Sequence, residues 1–507
     1  MSDQSRPDQQ RSFPSRPSLR YLRLEAKRRV STGEYPTLHE AQLAISREHG
    51  LSSWTALKRF LESQPEPEGP AIEQLRWVIS RFASADSPAW VAPADAEMRQ
   101  HFDDRALSKI PPAELVTRLA RRAESFREEL AVSNDAPLVA RAELGGSIQV
   151  VTAVEAEPPH RLTGLRFFRL GAQVIDPRAA AATTRTSGDV PAPAADVADQ
   201  AFAELGLVGL ALAAGAPHTP VWTAARGWAD LDRGEVLETS HRFPAYAITM
   251  LVTSTAVLRL VADGRVALDD PANDHLRTVR LADGAVTVRE LLNHTGGVDS
   301  SAQQFADSVP DLLSLFGPVM ACSGDRGTVK PSNGGYAALG QLVADATGEP
   351  YPAALARLVL EPLRMTDSSF PARWPATDPD VITGYNLAPG GSFVSVPGRV
   401  ATVQAFGGLW TTTADLVRFG VAWSSLLPGA LVREALRPQA TVASTGVRVG
   451  LGWYLNESRG VMGLAGVGPG RSASLVIRAS DQVTLVAFTN RLIPIEPVNG
   501  RVMAAIS

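Results

Sequence analysis

After a polar stretch over 1–17, helical signals dominate residues 18–64. Thr37-Leu-His-Glu40 is a capping box, in which a Thr hydroxyl and a Glu carboxylate satisfy the free N–H groups at a helix start. The helix it predicts runs to about His49, and Gly50 suits a left-handed stop. Ser52 or Ser53 then caps a short helix carrying Trp54, Leu57 and Leu61. Gln64-Pro-Glu-Pro-Glu-Gly-Pro70 breaks the pattern and reads as a linker. Helical spacing returns over Ile72–Ser84 and Pro112–Arg122. Strand-like pieces follow at Val139–Leu144, Ser147–Glu155 and Arg161–Leu170. Helices followed by strands predict an α+β unit with one curved sheet and helices on one face. Residues 176–197, rich in Ala, Pro, Thr and Asp, read as a second linker. Beyond them, the apolar run Leu205–Ala216 contains glycines, is too short to span a bilayer, and predicts a buried strand. Ile248–Asp263 predicts a helix that Gly264 ends. The expected organisation is disorder over 1–17, a small helical module over 18–64, an α+β domain over 71–175, a linker over 176–197, and a large domain over 198–507.

Composition narrows the function classes. The chain has 507 residues, enough for about three domains. A net charge of −4 gives no reason to expect nucleic acid or an anionic membrane as partner. Cys322 is the single cysteine, so no intrachain disulfide can form. Met1–Arg20 is polar and lacks the apolar core of a secretory signal, which predicts a cytoplasmic protein. The histidines are scattered without His-x-x-x-His spacing, so no metal is expected. No cofactor is expected either: Gly466-Val-Gly-Pro-Gly470 lacks the spacing and the strand–helix setting of a nucleotide loop.

From about residue 200 onward, ordered segments carry a specific resemblance. They are Leu207-Val-Gly-Leu-Ala-Leu-Ala213, Gly227-Trp-Ala-Asp230, Arg265-Val-Ala-Leu-Asp-Asp-Pro271 and Thr287-Val-Arg-Glu-Leu-Leu-Asn-His-Thr-Gly-Gly297. Glu361-Pro-Leu-Arg-Met365, Gly407-Gly-Leu-Trp410, Leu451-Gly-Trp453 and Phe488-Thr-Asn490 complete the series. The series resembles the serine β-lactamase and penicillin-binding-protein family, in particular its class C-related branch. The resemblance implies an antiparallel sheet flanked by helices, an inserted all-α lobe, and a cleft between them. It also implies three catalytic clusters. The family's Ser-x-x-Lys aligns with Ala247-Ile-Thr-Met250, its Tyr-x-Asn with Pro331-Ser-Asn333, and its His-x-Gly or Lys-x-Gly with Leu464-Ala-Gly466. The nucleophile, base, relay and third-cluster positions are therefore Ala247, Met250, Pro331 and Leu464. A methyl group cannot attack a carbonyl and a thioether cannot take up a proton at neutral pH. No Ser-x-x-Lys occurs anywhere in the chain, and Lys330 is the one lysine of the large domain. His294 lies in a structural signature of the family, which argues against a triad role.

The resemblance further implies an oxyanion hole of backbone N–H groups, here at Ala247 and Val467, which side-chain loss leaves in place. With Tyr246, Asn333 and Trp410 they define the expected residual pocket, one that holds a small carbonyl or carboxylate compound without cleaving it. An alternative is an active esterase or amidase with relocated chemistry, using Thr249, Ser332 or Tyr246 as nucleophile and Lys330 as base. Two weaker resemblances complete the reading. The 71–175 segment, with pieces such as His101-Phe-Asp, is similar in element order to the nuclear-transport-factor-2-like (NTF2-like) or ketosteroid-isomerase cone. It offers a second alternative, small-molecule binding or isomerisation. The N-terminal helices resemble a short module found ahead of ankyrin repeats, and are a place for a protein partner to dock.

Overall fold

The computed structural model describes residues 19–506 with the exception of 32, 49–52, 64–67, 128, 137–138, 145–147, 156–157, 170–183, 302, 375–379, 388–391 and 444. The expected disorder over 1–17, and most of the first linker, therefore lie outside the described residues. The chain divides into two compact units, Met1–Ala172 with Ala443–Gly446 and Gln173–Val442 with Val447–Ser507.

In the first unit, helices Leu19–Ser31, Leu38–Glu48 and Trp54–Ser63 close over Leu22, Ala26, Ala41, Ile45 and Leu57. The Glu40 N–H donates to the Thr37 hydroxyl at 3.2 Å, and the Ala56 N–H to the Ser53 hydroxyl at 3.1 Å, so each cap starts its helix. Helix Pro70–Phe82 buries Ile72, Leu75, Val78, Ile79 and Phe82 along one stripe. A four-stranded antiparallel meander takes Glu129–Ala136, Val139–Leu144, Ile148–Val154 and Leu162–Arg169 in chain order. The pattern of residues does not predict the first of these strands. Its Ser133, Asn134 and Asp135 disfavour extended structure, and pairing with Val139–Leu144 holds it at the sheet edge.

The second unit is a mixed α/β domain around a large antiparallel sheet. Its strands run in the order Ala440–Thr441, Arg448–Val449, Tyr454–Asn456, Val461–Gly468, Arg471–Arg478, Thr484–Thr489, Gly209–Gly215, Trp222–Asp230 and Thr184–Ser187. Gly209–Gly215 is buried on both faces. Ala211 and Ala213 join the core that holds helix Thr413–Ala422, whereas Leu210, Leu212 and Ala214 pack with helices Ala192–Leu205 and Glu496–Ala505. Burial on both faces explains an apolar run without alternation.

The second linker needs correction. Residues 176–183 lie outside the described residues, but Thr184–Ser187 pairs with Trp222–Asp230 as a sheet strand. Helix Ala192–Leu205 likewise starts inside the supposed linker. Prolines 191 and 193 stand at its cap and first turn, where a missing N–H costs nothing. Ala194, Ala198 and Ala201 turn one small-residue stripe inward.

Helix Thr249–Ala262 is buried almost all round, and helices Asn333–Thr347 and Gln404–Gly407 pack on it to form the helical lobe. Gly264, at φ +69°, ends this helix as its position suggests. No described helix is long and apolar enough to cross a membrane.

Candidate functional site

A 3₁₀ turn, Tyr246–Ile248, leads into helix Thr249–Ala262 and lies against strand Val461–Gly468. Leu464, Gly466 and Gly468 are alternate residues of that strand and share one face. Gly466 has no side chain because the turn touches it: a Cβ there would come within 2.7 Å of the Ala247 nitrogen. Ala247 and Leu464 both pack against the apolar core that contains Met250. Met250 is 2% exposed, while Ala247 and Leu464 are half-buried. Val467 turns the opposite way and is 54% exposed.

The remaining expected pocket residues have structural duties. Asn333 is buried and clamps a neighbouring loop: its Oδ1 accepts from the Ser301 N–H at 2.7 Å, and its own N–H donates to the Ser300 hydroxyl at 3.3 Å. Pro331 is exposed just before this helix. Trp410 is 3% exposed, pairs in a short strand with Pro244, and meets Trp374 edge-on at 5.0 Å.

The relocated-nucleophile candidates are also occupied. The Thr249 hydroxyl accepts from the Leu409 N–H at 3.2 Å. The Ser332 hydroxyl caps helix Asn333–Thr347 by accepting from the Gly335 N–H at 3.2 Å. Lys330 is exposed, and its N–H donates to the His294 carbonyl. His294 is 3% exposed, with φ +62°, 5.0 Å from the Tyr336 ring. Burial lowers its pKa to about 4, so the ring is neutral near pH 7.

Tyr246 is the unexpected member of the site. It is a non-glycine residue at φ +47°, next to Ala247, and only 4% exposed. Its ring fills the space that a side chain at Gly468 would need, and the Phe305 ring packs edge-on to it at 5.8 Å. Gly468 is the cross-strand partner of Arg471, which is 1% exposed. The Arg471 guanidinium donates to the Pro469 carbonyl at 2.7 Å and the Ile382 carbonyl at 2.8 Å, and lies 4.8 Å from the Trp374 ring centre. Burial pushes the Tyr246 phenol up to about 12, although the Arg471 charge pulls it the other way. Burial likewise depresses the Arg471 guanidinium. Sequence reasoning missed Arg471 and Phe305. A Pro-Gly-Arg turn reads as surface, and the available signal was the pair of bare positions at Gly466 and Gly468, which require something bulky opposite.

Among the described residues, no group of three His, Cys, Asp or Glu side chains converges as a metal site. Two described cavities, of about 460 and 250 Å³, lie elsewhere, around Arg265–Asp270 and beneath Thr184–Thr186.

Known proteins agree with this architecture. The family model described as Beta-lactamase matches residues 194–506. An esterase, EstB of Burkholderia gladioli, is 35% identical over 196 residues, covering 34% of this chain and 50% of the esterase. A putative penicillin-binding protein, PbpX of Bacillus subtilis, is 22% identical over 238 residues, covering 47% of this chain and 59% of its own. The chain thus spans between half and three-fifths of these two relatives. Among solved structures, D-amino acid amidase from Ochrobactrum anthropi SV3, complexed with L-phenylalanine, superposes with a TM-score of 0.54. It is 21% identical, and the match covers 62% of this chain and 97% of the amidase.

Proposed function

The chain belongs to the beta-lactamase family through residues 194–506, and from that premise we propose that it is a catalytically silent member, one that binds a small carbonyl or carboxylate compound for a binding or regulatory purpose. The observation that carries this reading is the single apolar core that contains Met250 and against which Ala247 and Leu464 pack. The family's nucleophile, base and third-cluster positions hold methyl, thioether and isobutyl groups in contact with a packed interior. The hydroxyls of Thr249 and Ser332 support it too, because each is committed to a backbone N–H. What persists is the backbone: the turn at Ala247 lies against the strand bearing Val467. Such N–H groups can hold an oxygen without a nucleophile nearby.

A second reading keeps the chain an active esterase or amidase. Its nucleophile would be Tyr246, whose hydroxyl neighbours the Arg471 guanidinium, although burial raises the phenol to about 12. The middle segment gives the isomerase reading less support. Among its described acids, Glu97 pairs with Arg81, Glu155 pairs with Arg161, and Asp103 caps a helix.

The test is covalent labelling of the purified protein with a fluorescent fluorophosphonate and a fluorescent penicillin, beside an Ala247→Ser, Met250→Lys double variant. The native protein is expected to stay unlabelled and the double variant to take label. Loss of a nucleophile or base costs roughly a millionfold in turnover in a serine protease, so the contrast is large. Label on the native protein mapped to Tyr246 would replace the silent reading by the second one.

A further inference from the structure

Arg471 presents a buried charge without a counter-charge. It is 1% exposed, and no carboxylate pairs with it among the described residues. Two of its nitrogens reach carbonyls and the Tyr246 phenol is hydrogen-bonded to the guanidinium, but Nε itself has no partner. A buried donor left unpaired, and a buried cation left without an anion, are both costly.

The geometry shows where that unspent donor can act. Arg471 stands directly across from Gly468, so the two residues project to the same face of the sheet. That face carries Leu464, Gly466 and Gly468 in line and meets the turn at Ala247. The Tyr246 ring lies over Gly468, between this turn and Arg471. A neutral phenol does not neutralise a guanidinium. The Tyr246 backbone is also held in the left-handed region, which costs a non-glycine residue about 1–2 kcal/mol. A bulky side chain in a disfavoured conformation therefore covers a charged group that lacks an ion partner.

We propose that Arg471 is a carboxylate-binding subsite gated by Tyr246: a ligand carboxylate displaces the phenol ring, accepts from Nε and neutralises the buried charge. This deepens the binding reading above by choosing carboxylate over neutral carbonyl. No bond is made or broken in the step. Trp374 and Phe305 wall the subsite on two sides, which favours a carboxylate borne on a flat or apolar body.

The test is calorimetric titration of the full chain with benzoate and with its neutral analogue benzamide. Three proteins are compared: native, Tyr246→Gly, and Tyr246→Gly with Arg471→Met. Glycine takes φ +47° freely and removes the gate, and Met has similar length without charge. Circular dichroism of each variant confirms that it is folded. The native protein is expected to prefer benzoate. Tyr246→Gly is expected to bind benzoate at least about tenfold tighter than native, as a charge-assisted hydrogen bond allows, with benzamide unchanged. Adding Arg471→Met to that variant is expected to abolish the preference. Benzoate binding to folded Tyr246→Gly no tighter than to native would overturn the subsite, as would a preference that survives loss of Arg471. If Arg471→Met does not fold, the neutral Arg471→Gln replaces it, and a preference undiminished by that change also overturns the proposal. The titration is independent of hydrolysis, so labelling of the native protein would remove the silent reading and leave the subsite standing.

Discussion

Met250 shows what a single side chain decides. Lys at this position would place an ammonium where the native side chain is 2% exposed and part of the apolar core. An unpaired buried charge costs about 3–5 kcal/mol. Met250→Lys is therefore expected to lower the melting temperature, and an unchanged or raised value would contradict the apolar replacement argument. His294 gives a second, pH-dependent prediction. Its pKa falls from 6.5 to about 4 in the folded state, solely through burial. As pH drops below 6.5, the unfolded chain takes up a proton that the folded one refuses. Its share of stability is whole above about pH 6.5, declines toward pH 4, and has no further slope below that. The loss is about 3 kcal/mol across the window. Calorimetric melts across that range should show the decline, and His294→Asn, which tolerates positive φ, should flatten it.

Helices and strands show how far the residue pattern reached. The capped helices of the first unit and the central helix Thr249–Ala262 were legible because their caps, stops and apolar stripes are local. The main sheet was legible through the family resemblance rather than through alternation, since strands such as Gly209–Gly215 are buried on both faces. Thr184–Ser187 was not legible, because all four residues are exposed and the strand exists through pairing alone. In the site, Ala247, Met250 and Leu464 were singled out through the family resemblance, but the positions of Tyr246 and Arg471 depend on which strands are neighbours. Arg491 belongs at this scale. It is buried, and it donates to the Leu205 and Gly206 carbonyls at the end of helix Ala192–Leu205. There its charge also complements the helix dipole. Arg491→Gln is expected to raise amide hydrogen exchange through the last turns of that helix, with exchange in helix Asn333–Thr347 unchanged.

The whole molecule has two compact units with separate cores. Separate cores permit separate melting. Scanning calorimetry is expected to resolve more than one transition, and Met250→Lys to displace only the one belonging to the family domain. A single transition displaced as a whole would mean that the units unfold together.

Within the second unit, helices Ala192–Leu205 and Glu496–Ala505 lie side by side, joined by an ion pair between Arg501 and Glu204 at 2.7 Å. The first and last helices of the domain are thus spatial neighbours although some 300 residues separate them in the chain. A short Gly-Ser bridge could link them, and the chain could be reopened at the exposed hairpin turn around Ser480 and Asp481. Such a circular permutant should keep the order of the strands from Ala440–Thr441 to Trp222–Asp230 and the turn at Ala247, because their pairings are made by segments that the rearrangement leaves whole; the edge strand Thr184–Ser187, which precedes helix Ala192–Leu205, is the one left off.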